Sequence, residues 1–208
     1  MRKLLSILSI FLLAATALLS QAASAGEIEE IKRLQKGMRT VQAAFSQAKT
    51  TELLGRPIKS SGTFAMKAGA GVRWDYKDSM VVIYDGRDLY IHYLEMEEAE
   101  WIRGAAGFVG PMVFDVDKLT ENYRVTAMRH DGGIRLTLWP DKGKMPFEKM
   151  EMSFPLGSPF PKEVVVFEAS GDKTVISFRE VEVGASLADS LFVFDPPPGV
   201  KVRQRYVQ

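Results

Sequence analysis

The 208-residue sequence has no cysteine, which excludes disulfides, a thiolate nucleophile, cysteine metal ligands and a lipid attached through an N-terminal cysteine. Histidine is nearly as scarce: His92 and His130 are the only two, and each reads as a strand-end residue rather than a base or ligand. There is no Gly-x-Ser-x-Gly elbow. Gly69-Ala70-Gly71 and the stretch Gly104 to Gly110 lack the Lys-Ser/Thr that a phosphate-cradling loop requires. Ser170-Gly171-Asp172-Lys173 fits Ser-x-x-Lys by letter, but Gly-Asp among strand-forming residues reads as a hairpin turn rather than the helical turn that chemistry needs. Glu95, Glu97, Glu98 and Glu100 lie near His92 in no metal-ligand spacing and read as solvated. The expectation is a chain without catalytic residues, metal or cofactor, and not an enzyme.

Excess charge of one sign is also missing. Arg2 and Lys3 precede an apolar run from Leu4 to Leu19, and Ala23-Ser24-Ala25 supplies the small residues a signal peptidase cuts after. The run holds Ser6, Ser9 and Thr16 and is short of the roughly 20 apolar residues a spanning helix needs. Residues 1–25 are therefore expected to be a cleaved Sec-type signal peptide, leaving 26–208 as one domain in the bacterial periplasm. The signal carries two of the 27 basic residues and no acidic ones, so 25 basic face 26 acidic residues in the mature chain, a net charge of −1. That balance excludes a strongly basic nucleic-acid surface and gives no electrostatic reason to bind membranes. Without disulfides, stability must come from packing.

What is present begins with Ile28, Ile31, Leu34, Met38, Val41, Ala44 and Phe45, spaced by three and four residues, which predicts an amphipathic helix from Glu27 to Lys49. Beyond it, short runs rich in Val, Ile, Phe and Tyr alternate with turn residues. They predict about nine antiparallel strands: Ile58–Lys67, Gly71–Tyr76, Met80–Tyr84, Arg87–Tyr93, Tyr123–Arg129, Gly133–Trp139, Phe147–Phe154, Lys162–Glu168 and Thr174–Val183. Asp85-Gly86 is a strong hairpin signal. Glu95 to Glu121 lacks alternation and reads as a mobile connection with short helices, of a length that often serves as a lid or binding loop. A sheet this long with one long helix must close or curl over its apolar face. Patterning alone leaves two outcomes open, a plain core or an apolar cavity, and packing density favours the core.

Several segments, in order, resemble a known family. Val41-Gln42-Ala43-Ala44-Phe45-Ser46-Gln47 is similar to a Phe-Ser-Gln helix end, Ser61-Gly62-Thr63-Phe64 to a first sheet strand, and Val72-Arg73-Trp74-Asp75-Tyr76 to a Phe-Arg-Trp strand. Val82-Ile83-Tyr84-Asp85-Gly86-Arg87-Asp88-Leu89-Tyr90 resembles the following Asp-Gly hairpin, and Leu191-Phe192-Val193-Phe194-Asp195-Pro196-Pro197-Pro198-Gly199-Val200 a closing Phe-x-Phe-x-x-Pro-x-Gly-Val. The family is the periplasmic outer-membrane lipoprotein carriers, LolA. The chain departs from it after Tyr93, where Leu94-Glu95-Met96-Glu97-Glu98 replaces the usual Tyr-x-Pro with a nearby glutamine.

The resemblance implies an α+β fold, an incomplete antiparallel β-barrel covered by the N-terminal helix and a helical lid, enclosing an apolar cavity for acyl chains. Under it Phe45, Phe64, Met66, Trp74, Val82, Tyr84 and Leu89 are candidate cavity walls, with plain core as the alternative, and Trp101, Phe108, Val109, Met112 and Phe114 are candidate lid residues, with ordinary packing under a loop as the alternative. Arg73 would contact the lid and control its opening; the plain alternative is a strand arginine paired with Asp75 or Asp88. The implied partners are lipoproteins or lipid acyl chains, an inner-membrane releasing transporter and an outer-membrane acceptor lipoprotein, with the carrier a monomer that binds no nucleic acid. The alternative is a periplasmic sensor or interaction domain of the same fold, or a carrier of another lipid.

Overall fold

A computed structural model of the protein describes residues 24–106, 110–130, 132–141 and 145–206. Residues 1–23 of the expected signal segment lie outside the described residues, as do Phe108 and Val109 of the expected lid.

The first helix, α1, covers 24–35, not 27–49. It stops because the chain turns at Gly37, whose φ of +88° is the left-handed conformation that ends helices at low cost for glycine alone. Met38 N–H donates to the Gln35 carbonyl across this turn. The remainder of the expected helix is strand β1, Thr40–Thr50. Val41, Ala43 and Phe45 are buried, so the effective period there is two rather than 3.6.

The chain continues as β2 (Ile58–Lys67), β3 (Gly71–Tyr76), β4 (Met80–Tyr84), β5 (Leu89–Tyr93) and β6 (Glu98–Arg103). After a short 3-10 turn at Gly110–Val113 come helix α2 (Val116–Asn122), β7 (Arg124–His130), β8 (Gly133–Trp139), β9 (Phe147–Pro155), β10 (Glu163–Glu168), β11 (Lys173–Val183) and β12 (Lys201–Tyr206). The nine expected strands are all present, with the start of the fourth moved from Arg87 to Leu89; β1, β6 and β12 are additional. β6 lies inside the connection expected to be irregular.

All twelve strands form one sheet in the order β12-β6-β5-β4-β3-β2-β1-β11-β10-β9-β8-β7. Every pairing is antiparallel except β12 with β6. β7 and β12 stay at opposite edges, so the sheet curls without closing, and the α+β incomplete barrel is the observed fold. Its concave face carries the core, including Val41, Phe45, Phe64, Trp74, Leu136, Leu138, Met152 and Phe178, with Ile31 of α1 packed into it. Gly62 marks where β2 runs tight against β3: a Cβ there would stand 1.8 Å from the Asp75 carbonyl oxygen.

The convex face of β2 to β6 is not bare. The chain after β11 crosses it, burying Ala185, Leu187 and Phe192 against Ala65 and Ala70. Phe194 stacks on Tyr90 at 5.1 Å. This strap ends in β12, where Arg203 and Arg205 pair with Glu98 and Glu100 of β6 at 2.7 and 2.8 Å.

Candidate functional site

The concave face divides into two parts. At the ends of β2, β3 and β4 nearest α1 lies a cavity of about 1380 Å³. Met38, Met66, Val72, Tyr84, Val113, Leu119, Tyr123 and Met145 give it apolar walls, and α2 lies along it. Its polar margin holds Lys36, Lys67 and Lys118 together with Asp115, Asp117, Glu121 and Asp141. Tyr123, which starts the return into the sheet, has its hydroxyl pKa pushed up by burial. An apolar hollow of this size with a mixed-charge rim suits a flexible apolar ligand whose polar end stays in water.

The other part is filled by rings. Phe64 lies 4.7 Å from Trp74, 5.4 Å from Phe160 and 5.6 Å from Phe178, centroid to centroid. Phe45 packs edge-on against Trp74 and Tyr76, both at 5.0 Å. Burial pushes the Tyr76 hydroxyl pKa up to about 12, and this hydroxyl donates to Gln47 Oε1 at 3.1 Å. The indole N–H of Trp74 has no acceptor among the described residues.

The expected cavity walls therefore separate. Met66 and Tyr84 line the large cavity; Phe45, Phe64, Trp74, Val82 and Leu89 are buried in the packed core. Phe45 also touches a second, shallow recess of about 340 Å³ that includes Lys77 and Arg179.

The expected lid residues separate as well. Trp101 is a residue of strand β6, stacked on Tyr90 on the convex face, and its Nε1–H donates to Asp88 at 2.9 Å. Asp88 is buried and also accepts the Gly104 N–H at 2.9 Å. That backbone bond, aided by Trp101, holds the Asp88 carboxyl below the usual carboxylate range. Met112 lies in the 3-10 turn and packs against the core. Phe114 is 2% exposed, with its ring 5.4 Å from Phe160, 5.7 Å from both Phe64 and Phe178, and 6.3 Å from Trp74.

Arg73 alternates with Val72 and Trp74 and so faces the convex side. One guanidinium nitrogen donates to Asp75 Oδ2 at 3.0 Å, the other to the Leu191 carbonyl of the strap at 3.4 Å. The plain pairing with Asp75 is present, and the described partner beyond its own strand is the strap rather than the connection Glu95 to Glu121.

One site residue carried no signal in the sequence. Gln35, the last residue of α1, lines the large cavity. Its Nε2 donates to the carbonyls of Phe114 at 2.8 Å and Pro159 at 3.0 Å, and its Oε1 accepts the Val116 N–H at 3.0 Å. A lone glutamine on a charged helix is invisible to pattern reading, because its partners lie 79 and more residues away.

A profile described as outer membrane lipoprotein carrier protein LolA matches residues 36–195. The chain belongs to the LolA family. An outer-membrane lipoprotein carrier protein of Dechloromonas aromatica is 30% identical over 193 residues, covering 89% of this chain and 91% of that protein. One from Halorhodospira halophila is 27% identical over 199 residues, covering 92% of each. Among solved structures, an uncharacterized conserved protein from Thermus thermophilus superposes with a TM-score of 0.54 at 12% identity, over 85% of this chain and 98% of the other, which speaks to the fold alone. The LolA match starts where α1 ends and runs through the sheet, the cavity rim and most of the strap.

Proposed function

We propose that the protein is a periplasmic carrier that takes the acyl chains of lipoproteins into its cavity and moves them from the inner to the outer membrane, without chemistry of its own. The observation that carries this is the hollow of about 1380 Å³ on the concave face in a chain of the LolA family. Keeping an acyl chain in water costs about 0.8 kcal/mol per methylene, so crossing an aqueous gap requires an apolar container. The charged margin of Lys36, Lys67, Asp115 and Asp117 leaves the polar peptide end of the cargo in solvent. Delivery to the periplasm through a cleaved Sec-type signal at residues 1–25, and exchange with an inner-membrane releasing transporter and an outer-membrane acceptor lipoprotein, belong to the same proposal. So does an influence of Arg73 on release, which would act through the strap that it contacts.

The ring-packed half supports a second reading, a sensor or interaction domain with a dry core. Mass spectrometry of protein purified from its native host separates the two. Copurified lipoprotein or lipid is the carrier's expected result; protein that emerges lipid-free and takes up no acylated peptide would leave the dry-core reading.

A further inference from the structure

The two edges of the curled sheet differ. β6 is paired along its whole length with β12 of the same chain, whereas β7 ends the sheet on the other side. An uncovered edge offers a row of backbone donors and acceptors to any extended chain, and proteins without a use for one blunt it with proline, lysine, a bulge or an inward charge. β7 holds neither proline nor lysine and pairs with β8 in unbroken register from Arg124 to His130. Arg129, the one charge on its concave side, is taken up by Glu27 and Glu30 of α1. The Ala127 N–H points away from β8, because it donates to the Ser24 hydroxyl at 2.8 Å. By strand alternation the N–H and C=O groups of Val125 and Arg129 point the same way. Among the described residues Ser24 is the one hydrogen-bond partner of this outer row, and it lies before the expected cleavage point after Ala25, so processing removes it. β7 also begins at the cavity: Glu121, Asn122 and Tyr123 line the hollow, and Arg124 is the first residue of the strand. Strand residues advance about 3.3 Å each, so the edge runs roughly 20 Å from that rim.

We propose that the free edge of β7 binds the extended polypeptide that follows the acyl group of a lipoprotein, adding it to the sheet as a further strand. This rests on the carrier reading and gives the peptide part of the cargo a place on the carrier. The continuity of rim and edge selects this occupant: a peptide tethered to a chain in the hollow leaves past Tyr123 and meets Val125 first. The outward groups of Val125, Ala127 and Arg129 supply main-chain hydrogen bonds, which do not depend on the sequence of the added strand. A carrier of more than one lipoprotein thereby holds the peptide without choosing among sequences. Because the acyl chain is already bound, the pairing is intramolecular, so weak bonds suffice and they release once the chain has left.

The test is titration of the full mature protein with palmitic acid, with a palmitoyl-modified peptide of about eight residues, and with the same peptide methylated on its backbone nitrogens at either the odd or the even positions. Only one of the two methylated peptides loses the N–H groups that face β7. That one is expected to bind at least roughly tenfold more weakly than the parent and the other within about twofold, since two or three main-chain bonds each contribute a factor of about two to ten. A peptide of scrambled sequence should match the parent. Ala127→Pro removes the central outward donor without touching the pairing with β8, a place where an edge strand tolerates proline. It should weaken the palmitoyl peptide by roughly fivefold or more and leave palmitic acid within about twofold; if the variant does not fold, the methylated peptides decide the matter on the wild type. Equal affinities for the two methylated peptides would overturn the edge site while leaving the carrier intact. Self-association that Ala127→Pro abolishes, with no effect of methylation, would overturn it as well and assign the edge to a second copy of the chain. Binding of neither palmitic acid nor the palmitoyl peptide would remove the carrier reading and the edge site together.

Discussion

The ring-filled half and the hollow half of the concave face are built from the same strands. β2 contributes Phe64 to one and Met66 to the other, and β3 contributes Trp74 and Val72 in the same way. The difference lies in what covers them. Over Phe64 and Trp74 the sheet curls against Phe160 and Phe178, so rings meet rings. Over Met66 and Val72 the cover is α2 and the turn before it, a helix of seven residues of which Val116 and Leu119 are buried. A carrier needs both kinds of surface: a stable half that holds the curl, and a half whose cover can be moved at little cost.

That contrast predicts unequal costs of truncation. Phe64→Ala should lower the unfolding free energy by about 3–5 kcal/mol, because it empties a site closed on every side. Met66→Ala, two residues along the same strand, should cost about 2 kcal/mol, the low end for such changes, since its side chain already borders open space. Equal losses in denaturant titrations would break the distinction between the halves.

Asp88 sharpens the comparison from the convex side, where it fastens β5 to the end of β6. Asp88→Asn replaces an acceptor of the Trp101 and Gly104 N–H groups with a donor at one oxygen and should cost about 1.5 kcal/mol. Because the folded carboxyl titrates below its ordinary value, its contribution is complete above about pH 4 and disappears as pH falls through the folded value. The stability difference between wild type and the variant should narrow on acidification, and a constant difference would show that the charge is not involved. Arg73→Leu should have the smallest effect on folding, under about 1 kcal/mol, because its pairing with Asp75 is partly solvated. Transfer in a reconstituted assay should be disturbed more than stability is; unchanged transfer would end the proposed role of Arg73 in release.

Most of the sheet was legible in the sequence because its strands alternate and are separated by turn residues. β1 was not, since Val41, Ala44 and Phe45 satisfy a helical spacing while Val41, Ala43 and Phe45 satisfy the strand spacing, and only the turn at Gly37 decides between them. β12 escaped notice because Lys201–Tyr206 is exposed along its whole length; it is held by pairing with β6 and by Arg–Glu pairs rather than by an apolar face. β6 hid for a related reason, since Glu98, Glu100 and Arg103 suggest a solvated loop. The seven expected wall residues lie in the core or along the cavity, whereas Trp101 faces the convex side, and facing inward does not distinguish a wall of packed rings from a wall of a cavity. That depends on Phe160 and Phe178, which are distant in sequence from Phe64, and on the reach of Gln35.

The central claim, that the hollow beside α2 is where the acyl chain resides, is tested most directly by filling it. Val113 lines that hollow and is only partly buried, so Val113→Trp should occupy the space with little effect on the melting temperature. Calorimetric titration of a palmitoyl-modified peptide should then show binding to the wild type and a loss of at least roughly tenfold, about 1.4 kcal/mol, in the variant. Undiminished binding by a folded Val113→Trp protein would place the chain elsewhere and contradict the account.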